Sequence, residues 1–161
     1  MKFTRMQVFG VTVGVVVFGV VTPAALASPP SNVTVSTLVT ANFDKRANLN
    51  HDGVEFETEH RTDVRVQKVV FAPGGATGWH HHPGVVIVAV ESGAVTFWNS
   101  RCKSKTFGPN SPNGAVFTEG NDEPGQVTSK DGGTVYATFV VPNANPPVFR
   151  VEDIAPKCAL K

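Results

Sequence analysis

Apolar and polar residues alternate along this chain in short runs, and the repeat is two residues rather than the 3.6 of a helix. Residues 33–39, 54–59 and 64–71 read this way, as strands with one face turned to a core, and further short runs at 85–90, 94–98, 115–118, 127–129, 134–141 and 148–151 read as strands bounded by turns. Each run is closed by turn chemistry, such as Pro73-Gly74-Gly75, Pro83-Gly84, Ser92-Gly93 and Asp131-Gly132-Gly133. Beyond residue 27 no stretch keeps a helical period over ten residues. Short strands at this spacing predict an all-β sandwich or barrel. In residues 64–71 the inward face stays open: Val64, Val66 and Lys68 share one side, Arg65, Gln67 and Val69 the other. Residues 42–53 are polar and read as a loop holding His51, and Glu55, Glu57 and Glu59 read as a solvated charge ladder.

The N-terminus breaks the alternation. Lys2 and Arg5 precede an apolar run over residues 8–21, then Pro23 and Ala25-Leu26-Ala27, the layout of a secretory signal peptide cleaved after Ala27. The run is short for a bilayer span, so no stable membrane span is expected after cleavage. Of 14 basic and 13 acidic residues, only Lys2 and Arg5 precede Ser28, which takes the formal charge of the remainder from +1 to −1. Such a chain has no electrostatic attraction for nucleic acid or an anionic membrane. Both cysteines, Cys102 and Cys158, lie in the exported part, where a pair is expected to be a disulfide tying the tail to a mid-chain loop.

Residues 72–93, APGGATGWHHHPGVVIVAVESG, carry three of the five histidines. In an extended segment His80 and His82 leave the same face and can converge on one ion, while His81 points the other way. Gly-x-Ser-x-Gly is absent, and no phosphate-cradling loop occurs.

Gly74, His80-x-His82 and Gly93 resemble the first motif of the cupin superfamily, and the order of elements is similar to small exported bacterial cupin-domain proteins. The resemblance implies a cupin-type double-stranded β-helix, a jelly-roll barrel. It divides the chain into a signal peptide (1–27), a leader with the first strand (28–37), a cupin-like barrel (38–141) and a C-terminal tail (142–161). The family carries a glutamate where Val86 stands, and a second-motif histidine whose place falls near Gln126, allowing one inserted residue. An amide oxygen is a poor ligand for Zn or Fe. Glu119 is the other candidate ligand, and it points inward only if Phe117, of the same parity, is a core residue. With Glu119 the set approaches two histidines and one carboxylate; without it His80 and His82 become hydrogen-bonded relics in the barrel mouth.

The expected cofactor is therefore a divalent metal, Fe, Mn or Zn, held weakly or not at all, because two usual ligands are replaced. Trp79, Val86 and Phe117 are the expected pocket residues. The function expected is binding of a small molecule in the barrel pocket, with a homodimer allowed. The alternative that the resemblance implies is a metal-dependent dioxygenase or isomerase using Glu119 or Gln126 as a further ligand.

Overall fold

The computed structural model describes residues 28–160, so the expected signal peptide and its cleavage site lie outside the described residues. The described chain is β throughout except for one 3-10 turn at Lys157–Leu160. Twelve strands follow in order: β1 (Ser31–Phe43), β2 (Asn48–His51), β3 (Val54–Glu57), β4 (Thr62–Ala76), β5 (His80–His81), β6 (Val85–Gly93), β7 (Val95–Asn99), β8 (Ser104–Phe107), β9 (Val116–Glu119), β10 (Gly125–Ser129), β11 (Gly133–Pro142) and β12 (Val151–Glu152). All pairings are antiparallel.

Two five-stranded layers face one another. One runs β1-β4-β11-β6-β9 and the other β8-β7-β10-β5-β12. They join where the end of β4 pairs with β10, Gly75 opposite Ser129 and Ala76 opposite Thr128. The result is a nearly closed jelly-roll barrel. The alternation in β6 shows why the strands fold this way: Val86, Val88 and Val90 are buried, whereas Val85 and Ile87 stand about half exposed. Beside them on the neighbouring strand, Val135, Ala137, Phe139 and Val141 of β11 are all buried. Burying side chains of this kind stabilises the fold by about 1.5–3 kcal/mol each.

The face of β4 left open by its sequence is decided by its far end. Val69 and Phe71 are buried, so Arg65 and Gln67, four and two residues earlier than Val69, also point into the barrel. The strand pairing on β1 provides for them: Arg65 Nε donates to Thr40 Oγ1 and Gln67 Nε2 to Thr37 Oγ1, each at 3.2 Å.

Residues 42–53 are not simply a loop. Asn48–His51 and Val54–Glu57 form a hairpin turned at Asp52-Gly53, both with positive φ (49° and 80°), the backbone a tight two-residue turn demands. His51 thus ends a strand, exposed beside Asp52. Strand β1 crosses the expected boundary at residue 38, and the tail beyond residue 142 packs onto the barrel through buried Phe149. A disulfide joins Cys102 to Cys158 and anchors that tail.

Candidate metal centre

Gly78, with φ of 72°, turns the chain out of β4 and sets the entry to β5. There His80 pairs with Gly125 of β10 on one side and Glu152 of β12 on the other. His80 and His82 project to the same side and are both only 4% exposed, their rings edge to face with centroids 4.8 Å apart. Each ring is oriented by a backbone carbonyl. His80 Nδ1 donates to Gly78 O at 2.8 Å, and His82 Nδ1 donates to Phe149 O at 2.6 Å. A carbonyl oxygen can only accept, so the proton of each neutral imidazole sits on Nδ1 and the lone pair on Nε2.

Those two lone pairs meet a carboxylate. Phe117 is buried in the core, stacked on Phe107 with centroids 4.7 Å apart, and Glu119 shares its inward parity. Its Oε2 lies 3.3 Å from His82 Nε2 and 3.9 Å from His80 Nε2, with the carboxylate side chain only 8% exposed. The three ligand atoms converge on one point, an arrangement a shared cation would satisfy. One ligand atom from each lies within 4.8 Å of the others, a spread that bonds of ~2.0–2.2 Å to a single ion can draw together. Burial, aided by the Arg150 guanidinium and opposed by Glu119, holds the His80 imidazole down at about 4, leaving its Nε2 free of a proton at neutral pH. The donor set fits a divalent metal of the two-histidine, one-carboxylate kind.

The three donors stand in the wall of a cavity of about 500 Å³. Val86, Val88, Val127, Ala137 and Phe139 give it an apolar lining, and Arg65, Gln67 and Arg150 contribute polar groups. The tail closes one side with Phe149, whose ring meets Phe139 edge-on at 6.1 Å.

No family model and no curated protein matches the sequence. Solved structures do match. The polyketide cyclase RemF from Streptomyces resistomycificus aligns over 78% of this chain and 76% of its own at 16% identity, TM-score 0.50. A conserved protein of unknown function from Streptococcus pyogenes aligns over 70% and 76% at 14% identity, TM-score 0.48. The salicylate 1,2-dioxygenase of Pseudoaminobacter salicylatoxidans aligns over 47% of this chain and 19% of its own at 12% identity, TM-score 0.41. This chain has the cupin fold.

Against the cupin pattern, Val86 takes the place of a glutamate and is 1% exposed. Its register partner on β9 is Glu119, so a carboxylate enters the same region from the neighbouring strand. Gln126 is a correction to the expected ligand set. It shares no face with Val127, which lines the cavity; instead it borders a separate pocket with Trp98, Cys102 and Cys158. The inward position is Gly125, where a Cβ would stand 2.7 Å from the Phe97 ring. Trp79 is a second correction, since its odd parity relative to His80 sends it, buried, to that same separate pocket. Phe117 belongs to the core rather than the cavity wall, while Val86 does line the cavity.

Other candidates lie apart. His81 Nδ1 sits 2.8 Å from Asp153 Oδ2 on the outer side, and His60 is exposed. Glu55, Glu57 and Glu59 are exposed, with Glu57 paired to Arg46. Sequence reasoning missed Arg65, Phe149 and Arg150 at the cavity. For Arg65 a signal existed, its parity with Val69 and Phe71; for the two tail residues none did.

Proposed function

We propose that this is an exported cupin-fold protein that holds a divalent metal ion through His80 Nε2, His82 Nε2 and a Glu119 oxygen, and binds a small molecule in the cavity beside it. The observation that carries the reading is the convergence of three lone-pair donors with both imidazole protons already committed to Gly78 O and Phe149 O. Fe, Mn and Zn all accept such a set. The Cys102–Cys158 disulfide is what an oxidising compartment permits.

Elemental analysis of protein purified without chelator tests it. Close to one metal per chain is expected in the parent, and less than a tenth of that in His80→Ala. A chain that carries no ion and takes up none of Fe(II), Mn(II) or Zn(II) in calorimetry would overturn the proposal.

Catalysis at the same ion is the second reading, favoured because three protein donors leave coordination positions open toward the cavity. Dioxygenation or isomerisation of the bound molecule would then depend on metal content, falling to background in Glu119→Gln. A homodimer has its own support on the outer face of the β1-β4-β11-β6-β9 layer, where Val39, Val85, Ile87 and Val116 are 44–56% exposed in one sheet face. Sedimentation equilibrium is expected to return twice the chain mass, and Ile87→Lys half of that.

A further inference from the structure

Arg65 is the cavity's unusual residue. It sits on the inward face of β4, in a cavity whose wall is mostly valine, alanine and phenylalanine away from the metal-ligand group, Gln67 and Arg150. Among the described residues no carboxylate lies within salt-bridge distance of its guanidinium, in contrast to Arg150, which is bound by Glu152. Nε donates to Thr40 Oγ1, and the guanidinium carbon stands 3.7 Å above the centre of the Phe149 ring. The contact with Phe149 and the bond to Thr40 fix the plane of the guanidinium. Its two Nη groups have no hydrogen-bond acceptor among the described residues. Part-exposed in the cavity wall, this guanidinium has no counter-charge among the described residues, so an anion entering the cavity finds an unpaired cation there. Its planar fork suits a carboxylate, which it can hold through two parallel N–H···O bonds.

The distance to the metal centre limits the size of that anion. Phe149 meets Phe139 at 6.1 Å between centroids, and Phe139 meets His82 at 5.3 Å. Arg65 and the three donors are thus separated by two aromatic rings, with the cavity open between them. Once a metal bond of ~2 Å and an ion-pair contact of ~3 Å are taken off, at most about 10 Å remains for a ligand. That is the length of a single ring or a short branched chain. The valine and phenylalanine walls favour an apolar body. A single uncompensated guanidinium matches one negative charge better than a phosphate's two.

We infer that the cavity takes a small organic carboxylate with an apolar body of about one ring, its acid group held by Arg65 and its other end directed at His80, His82 and Glu119. The ligand class rests on the metal-and-pocket reading above for its orientation, but the acid contact itself does not need the ion.

Benzoate and 3-methylbutanoate, each against its neutral amide, are the probes. They are titrated calorimetrically into metal-loaded and chelator-treated protein, with metal content measured in parallel. In the parent both acids are expected to bind at least tenfold more tightly than benzamide and 3-methylbutanamide. Arg65→Met keeps the stem against Phe149 and Arg65→Gln keeps a polar end. Both variants are expected to lose that preference while retaining the parent's metal content and unfolding midpoint. If one variant fails to fold, the other carries the comparison. Equal binding of acids and amides, no binding of either acid, or an acid preference that survives in the folded Arg65 variant would overturn the inference. Tighter binding of phenyl phosphate than benzoate would overturn the single-charge assignment. Failure to bind metal, with the acid preference intact in chelator-treated protein, would remove the metal reading and leave the Arg65 contact standing.

Discussion

At the scale of single residues, the site depends on which nitrogen of each imidazole carries its proton. Gly78 O and Phe149 O take the Nδ1 hydrogens, so Glu119 faces lone pairs. Glu119→Gln removes the charge but not the shape. Its metal affinity is expected to fall at least tenfold by calorimetry, whereas Gln126→Ala, on the other face of β10, should leave it unchanged. The free His80 imidazole also sets a pH dependence in metal-free protein. His80 titrates at about 4 when folded and near ~6.5 when unfolded, so between these values the unfolded chain holds more protons. Its contribution to stability is complete above pH 6.5 and is lost as the pH falls toward 4, by about 3 kcal/mol. Urea unfolding of chelator-treated protein at pH 7.5 and pH 4 should show that loss in the parent and most of it missing in His80→Gln.

Elements bring these residues together by parity and register. Strand β9 is only four residues long, and it delivers Glu119 because Phe117, two residues earlier, is anchored on Phe107 and Phe97. Phe117→Ala is expected to cost about 3–5 kcal/mol in chemical denaturation and to weaken metal binding as well, since it frees the strand that aims the carboxylate. The conditional reading of Glu119 was legible in the sequence because alternation ties residue 119 to residue 117. The placement of Gln126 was not: a single inserted residue in a turn reverses every side chain that follows, and nothing in residues 120–125 reveals their count against the family pattern. In β4 the same rule ran the other way, for Val64 and Val66 suggest an apolar inward face on one side, yet the barrel buries the side that carries Arg65.

Across the whole molecule, the tail is part of the site. It supplies Phe149 O to His82 and pairs Glu152 with His80, and the disulfide between Cys102 and Cys158 closes a separation of 56 residues around it. In the chain-entropy account a loop of that length is stabilised by about 4 kcal/mol. The Cys102→Ser/Cys158→Ser double variant should therefore unfold at lower denaturant concentration. It should also bind metal more weakly, because the carbonyl that orients His82 is no longer tethered. Unaltered metal affinity in the folded double variant would show that the strand pairing alone holds the tail in place.

The alternating pattern, the turn residues and His80-x-His82 by themselves determined an all-β sandwich or barrel with two imidazoles on one face, because period and parity are local properties of an extended chain. The sequence also marked both cysteines as partners. Only the tertiary structure decided that Glu119 completes the group, that Gln126 and Trp79 turn away, and that Arg65 and Phe149 share the cavity. Each of those depends on strand register and on the packing of segments far apart in the chain, Phe149 lying 67 residues beyond His82, and no local pattern encodes which distant carbonyl or carboxylate will meet a given imidazole.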